Sequence, residues 1–250
     1  MKIRSAGGTS VGRVRSSNED HYGIFDDLGL FVIADGMGGH AAGEVASVMA
    51  VDTIRYAFQA GLTDRSRSTR TPFDPSRRLV AAIEDANARI FDAGQHDPSL
   101  AGMGTTVAAV WIDGDAGRVA HVGDSRVYLF RDRTLKQITT DHSFVNDSLS
   151  RGLMTPDEAA THPMKHVLVR ALGTGPSVDI DVGMVALAPD DLFLLCSDGL
   201  SNLVTPSDLL ATLAVPASDL KGQCQRLIDL ANQYGGIDNI TAVLVHVVSA

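Results

Sequence analysis

Apolar residues recur along this chain in two rhythms. A spacing of three and four residues predicts helices over 41–60 (Val48, Val51, Ile54, Phe58), 78–91 (Leu79, Ala82, Ile83, Ala86, Ile90), 207–215 and 218–234 (Leu220, Cys224, Leu227, Ile228, Ala231). Thr155-Pro156-Asp157-Glu158 and Thr205-Pro206-Ser207-Asp208 each set a Thr at a helix cap, a Pro in the first turn and a carboxylate three residues on. Shorter runs predict strands around 3–5, 22–25, 30–34, 105–112, 118–122, 127–131, 182–187, Leu192–Cys196 and Ile240–Val248. The stretch 61–78, rich in Ser, Thr, Arg and Pro and without an apolar period, reads as a long surface connection.

The turns decide how the strands combine. Asp113-Gly114-Asp115-Ala116-Gly117 and Gly123-Asp124-Ser125 are too short for a helical crossover, so the strands on either side of each are expected to pair antiparallel. Leu192–Cys196 and 106–112 are apolar on both faces, which implies sheets covered on both sides. The pattern predicts an α+β fold, a four-layer α-β-β-α sandwich of two antiparallel sheets flanked by helix pairs. Without internal repeats, and with domains reaching about 250 residues, residues 1–250 are expected to form a single domain.

Composition narrows the function. The 250 residues are 44% hydrophobic, with 30 Asp and Glu against 21 Lys and Arg and a net charge of -9. That balance opposes the counterion release behind nucleic-acid binding and disfavours anionic membranes, so neither is an expected partner. No segment approaches the ~20 apolar residues of a membrane span. Cys196 and Cys224 cannot build a disulfide framework, and the first residues hold no apolar stretch that would serve as a signal peptide. A cytoplasmic, monomeric protein, neither anchored nor tailed, is expected.

Candidate chemistry concentrates where strands end. Asp35 closes one strand, Asp198 follows Cys196 by one residue, Asp124 sits in a turn, Asp238 precedes the last strand, and Glu19-Asp20 border an early one. Each alone reads as a turn residue. Together, with glycine after Asp35 and Asp198 and before Asp124, they suggest carboxylates converging above a sheet, where they would repel unless a cation sat among them. An all-oxygen set suits Mg²⁺ or Mn²⁺ rather than zinc. Gly36-Met37-Gly38-Gly39-His40-Ala41 fits a dinucleotide-binding fingerprint, but the second parallel strand is missing and Asp35 would repel a pyrophosphate.

Seven segments occur in order: Gly12-x-x-Arg15-x-x-Asn18-Glu19-Asp20, Ala34-Asp35-Gly36-Met37-Gly38-Gly39-His40, Gly102-Met103-Gly104-Thr105-Thr106, His121-Val122-Gly123-Asp124-Ser125-Arg126, Asp141-His142-Ser143, Ser197-Asp198-Gly199-Leu200 and Asp238-Asn239-Ile240-Thr241. With them the chain resembles, over essentially its whole length, the metal-dependent Ser/Thr protein phosphatases of type 2C in their bacterial single-domain form. The resemblance implies the same α-β-β-α sandwich. It also implies that Asp20, Asp35, Asp198 and Asp238 ligate two Mn²⁺ or Mg²⁺ ions or hold their waters, with the Gly36 carbonyl completing one site and Glu19 and Asn239 behind. Asp124 would share a third ion with Asp198, and Arg15 would clamp the phosphate with its planar fork; read alone, Arg15 is a surface ion-pair residue. Catalysis would be direct attack by a water bridging the two ions, with Arg15, Asp35 and Asp238 central to it and no phosphoenzyme.

The general acid stays open. Eukaryotic members carry His after the Asp-Gly pair where this chain has Met37, so a metal-bound water, His40 or His142 are the candidates, and His40 reads equally as a capping or packing residue. The segment 142–173 resembles the family's flap and is expected to discriminate substrates, against the plainer reading of a helical insertion. The implied partners are phosphorylated Ser/Thr proteins and a cognate bacterial Ser/Thr kinase.

Other classes fare worse. A Cys-based phosphatase needs Arg six residues after its nucleophile, where this chain has Asn202 after Cys196 and Leu230 after Cys224. Asp179-Ile180-Asp181-Val182-Gly183 has aspartyl-phosphatase spacing without the threonine or the preceding strand. A noncatalytic phosphatase-like binding domain would be expected to have lost carboxylates that are all present here.

Overall fold

A computed structural model describes residues 2–39, 41–64 and 75–248. The chain runs β1 (Lys2–Ser10), β2 (Asp20–Phe25), β3 (Leu30–Met37), α1 (Ala41–Asp64), α2 (Pro75–His96), β4 (Gly104–Thr105), β5 (Val107–Asp113), β6 (Ala116–Val122), β7 (Arg126–Arg131) and β8 (Thr134–Gln137). It continues through α3 (Phe144–Ser150), α4 (Pro156–Thr161), β9 (Asp181–Ala186), β10 (Leu192–Cys196), α5 (Asp198–Ser201), α6 (Pro206–Leu213), α7 (Leu220–Gln233) and β11 (Ile240–Val248). One sheet has the order β1-β11-β10-β7-β8 and the other β2-β3-β5-β6-β9, with every named pair antiparallel.

Strand alternation builds the four layers. Phe31 and Ile33 on β3, Phe193 and Leu195 on β10, and Val243, Val245 and Val247 on β11 form the core between the sheets. Their neighbours point the other way: Leu30, Val32 and Ala34 pack under α1 and α2 beside Ile54, Phe58, Ile83 and Ile90. Leu192, Leu194, Ala242 and Leu244 meet α6 and α7 through Leu209, Leu213, Leu227 and Ile228. Full burial of side chains such as Phe31 and Phe193 contributes about 1.5–3 kcal/mol each, so the continuous apolar runs follow from two covered faces. The α+β sandwich is the observed fold.

Several expectations are corrected. The strands flanking Gly123-Asp124-Ser125 do not pair: β6 lies in one sheet and β7 in the other, and Gly123, at φ +101°, turns the chain across. A Cβ there would strike Thr106, so only glycine makes the crossing. The expected 61–78 connection is helical at both ends, since α1 reaches Asp64 and α2 begins at Pro75, while 65–74 lie outside the described residues. The strand expected over 105–112 is interrupted at Thr106, whose hydroxyl takes the Asp35 N–H at 3.0 Å in place of a ladder carbonyl. Strand β1 extends from the expected 3–5 to Lys2–Ser10 because it pairs with β11 along its whole length, and β8 was not expected because Thr134–Gln137 is mostly exposed.

Candidate active site

The carboxylates come together at one end of the sandwich. Asp20 opens β2 directly opposite Asp35 in the β2–β3 ladder. Side chains in such a pair stand about 5 Å apart at Cβ, close enough for like charges to destabilise the pair. Asp124 enters on the crossing between the sheets, Asp198 at the first position of α5, and Asp238 just before β11. The site therefore draws on both sheets and cannot form within either alone.

Hydroxyls and amides fix these groups. Asp20 is buried, and its Oδ2 accepts hydrogen bonds from Ser197 Oγ at 2.7 Å and Thr241 Oγ1 at 2.6 Å. Its Oδ1 is buried without a partner. The Thr106 N–H donates to the Asp35 carbonyl at 2.9 Å while the Thr106 hydroxyl meets Ser125 Oγ at 2.7 Å, tying β3 to the crossing. Asn239 gathers the loop before β2: its Nδ2 donates to the carbonyls of Val11 and Ser17, and its Oδ1 accepts the Glu19 N–H at 2.8 Å. The Glu19 carbonyl in turn accepts the Gly36 N–H at 3.1 Å. A Cβ on Gly36 would overlap the Gly43 carbonyl, so that close approach requires glycine.

Electrostatics show what the cluster lacks. Burial pushes the Asp20 carboxyl up to about 7, against the Thr241 and Ser197 hydrogen bonds, and the charges of Asp198 and Asp238 push it the same way. Burial, then Asp20, Asp198, Asp124 and Asp238, holds Asp35 well above the carboxylate range. Asp124 rises to about 7 through burial and then Asp198 and Asp141, and Asp198 rises through burial and Asp238. Two like charges 4 Å apart cost about 4 kcal/mol at an effective dielectric of 20, so full ionisation requires cations. The unpartnered Oδ1 of Asp20 and the all-oxygen donor set fit a hard divalent ion.

A cleft of about 650 Å³ opens over the cluster, lined by Arg15, Glu19, Asp35, Asp124, Asp198 and Asp238 among others. Asp20 does not line it. Arg15 donates from one terminal nitrogen to Asp238 Oδ2 at 2.8 Å and keeps half its side chain exposed. That ion pair, first through its hydrogen bond, raises the Arg15 pKa above its ordinary value.

The histidines sort differently from expectation. His40 lies outside the described residues. His142 is 3% exposed, does not line the cleft, accepts the Gly123 N–H on Nδ1 at 3.1 Å and is driven down to about 4 chiefly by burial. His166, which sequence reasoning missed, does line the cleft. Its Nδ1 accepts from Asn202 Nδ2 at 3.5 Å, and the same amide donates to Asp198 Oδ2 at 3.1 Å. It lies in a loop, where no periodicity marks it. Ser197 and Thr241 fall within the expected motifs, and only their hydrogen bonds reveal what they hold.

Crowded carboxylates call for divalent cations, and the forked guanidinium beside them matches paired phosphoryl oxygens; fold and site together define a metal-dependent phosphatase. The chain belongs to the protein phosphatase 2C family, whose model matches residues 7–233. It is 39% identical over 240 residues to the serine/threonine phosphatase stp of Listeria welshimeri, covering 95% of this chain and 93% of that protein. The crystal structure of the Mycobacterium tuberculosis serine/threonine phosphatase PstP/Ppp matches with a TM-score of 0.87 at 36% identity over 99% of each chain. The PstP catalytic domain in complex with two manganese ions matches with a TM-score of 0.84 at 38% identity, again over 99% of each chain.

Proposed function

We propose that this chain hydrolyses phosphoserine and phosphothreonine esters in proteins with Mn²⁺ or Mg²⁺ as cofactor. The observation that carries the reading is that Asp35, Asp124, Asp198 and Asp238 line one cleft with Arg15, while Asp20, opposite Asp35 in the ladder, holds a buried oxygen without a partner. Asp20, Asp35, Asp198, Asp238 and the Gly36 carbonyl would hold two ions, with Asp124 and Asp198 positioned for a third. When bound, such ions supply Lewis acidity that lowers the pKa of an attacking water and offsets charge on the phosphoryl oxygens.

The chain's own residues bind and orient the ester. Arg15, half exposed, turns its remaining donors towards phosphate oxygens, while its bond to Asp238 fixes the angle of the fork. Glu19 and Asn239 hold the loop that carries Arg15 and Asp20. His166 lines the cleft and would serve as the proton donor to the departing Ser or Thr oxygen. Attack by water is the reading that leaves the thiols out, since burial lifts both Cys196 and Cys224 to about 12.

The working unit is read as one domain over 1–250 with the flap over 142–173. A second compartment of about 490 Å³ continues from the first past Asp198 and His166 towards Lys165, Asn202 and Ile237, and suits the polypeptide flanking a phosphoresidue. No helix among the described residues is long and apolar enough to cross a membrane. The reading extends to a cytoplasmic monomer opposing a Ser/Thr kinase.

The test is hydrolysis of a small aryl phosphate and of a phosphothreonine peptide with and without Mn²⁺. Turnover should require the metal and fall by at least about 10²-fold in Asp35→Asn and Asp238→Asn. Absence of turnover on both substrates at saturating Mn²⁺ would refute the enzyme reading.

A further inference from the structure

Beside the active site, His121, His142 and Asp181 bring ligand-type atoms within 4.8 Å of one another. Their hydrogen bonds argue against a cation there. The Gly123 N–H donates to Nδ1 of His142, so the neutral ring carries its proton on Nε2, the atom that faces Asp181 Oδ2 at 3.4 Å. A metal would have to displace that proton from a ring already short of basicity. The second carboxylate oxygen of Asp181 is taken by Arg170 at 2.7 Å, which offsets the charge a cation would need.

The same bonds describe a joint. His142 holds Gly123 in two ways: its backbone N–H donates to the Gly123 carbonyl at 2.9 Å and its ring accepts the Gly123 N–H, while its own carbonyl accepts the Val169 N–H at 2.9 Å, linking that grip to the end of the flap. The preceding residue, Asp141, takes Arg126 in a forked pair with contacts of 2.6 to 3.0 Å. Asp124 is thus bracketed, with Gly123 held by His142 and Arg126 held by Asp141. His121 stacks on the His142 ring at 4.5 Å and anchors the Thr140 carbonyl at 2.8 Å. From the far side, Asp181 connects the ring to Arg170, which lines the cleft.

We propose that His142 is a positioning residue that locks the Asp124 turn and the flap in one relative arrangement, through its ring bond to Gly123 and its contact with Asp181. It transfers no proton to substrate. The inference rests on the phosphatase reading for its kinetic consequence and on the geometry alone for its structural one.

The experiment compares the wild type with His142→Phe, which keeps a ring against His121 but removes both nitrogens, and His142→Asn, whose Oδ1 replaces the Nδ1 acceptor without reaching Asp181. Amide hydrogen exchange at Gly123 and Val169 is measured with kcat and KM on the aryl phosphate and the phosphothreonine peptide. His142→Phe should speed Gly123 exchange by about tenfold or more and lower kcat on both substrates about tenfold, as misplacement of a reacting group does. His142→Asn should restore Gly123 protection and most of the kcat while leaving the peptide KM raised severalfold, because the side chain that grips Gly123 no longer touches Asp181 and so no longer connects to Arg170 at the cleft. Wild-type exchange and kinetics in a folded His142→Phe would overturn the proposal. If that variant does not fold, His142→Asn decides: Gly123 unprotected, or a peptide KM equal to wild type, overturns it. An inactive wild type would refute the phosphatase reading, while the exchange comparison would still decide the joint.

Discussion

Asp20 shows what one residue contributes and conceals. Its place in Asn18-Glu19-Asp20 marks it as a ligand candidate, yet the unpartnered Oδ1 and the two hydroxyls on Oδ2 emerge only when β2, β10 and β11 converge. A carboxyl raised to about 7 binds more protons folded than unfolded, so in metal-free protein it lowers stability as pH rises from the ordinary carboxylate range through about 7. Asparagine lacks that titration. In EDTA, Asp20→Asn should therefore melt higher than wild type at pH 8, and the gap should close towards pH 5.5, by calorimetry at both values. A variant that melts lower at pH 8 would contradict the raised pKa. The histidines mark the limit of legibility: His142 was visible as a motif member and its role was not, because the acceptor on its ring is set by Gly123, nineteen positions away.

Elements were more legible than their ends. The caps at Thr155 and Thr205 appear as expected, and Thr155 forms the full reciprocal box with Glu158. Both signals are local, confined to four consecutive residues, which is why sequence alone carries them. Helix α4 buries only Ala159, so tertiary packing does little to hold it. Thr155→Ala should cost about 1 kcal/mol locally, seen as faster exchange of the α4 amides with an unchanged global Tm. A lowered global Tm would show that α4 is cooperative with the sandwich. The Gly123 crossing escaped sequence reading for the opposite reason. A three-residue turn looks the same whether it joins neighbours in one sheet or passes between two, and which it does is set by the strands' partners elsewhere in the chain, β5 and β9 for β6 and β8 and β10 for β7.

At the scale of the molecule, the net charge of -9 is unevenly spent, with several of its carboxylates buried together at one end of the sandwich. Mn²⁺ should raise Tm in a concentration-dependent way, and the rise should shrink in Asp35→Asn. KCl at matched ionic strength should not reproduce it, because buried charges are poorly screened; an equal rise in KCl would place the repulsion at the surface. The sequence by itself determined the layers, since alternating and continuous apolar runs dictate which faces are covered, and it determined the acidic and arginine residues at the strand ends. Only the tertiary structure decided how they act. The direct opposition of Asp20 and Asp35, the orphaned oxygen, the retreat of His142 from the cleft and the approach of His166 all depend on contacts between segments far apart in the chain, whose distances local pattern does not encode.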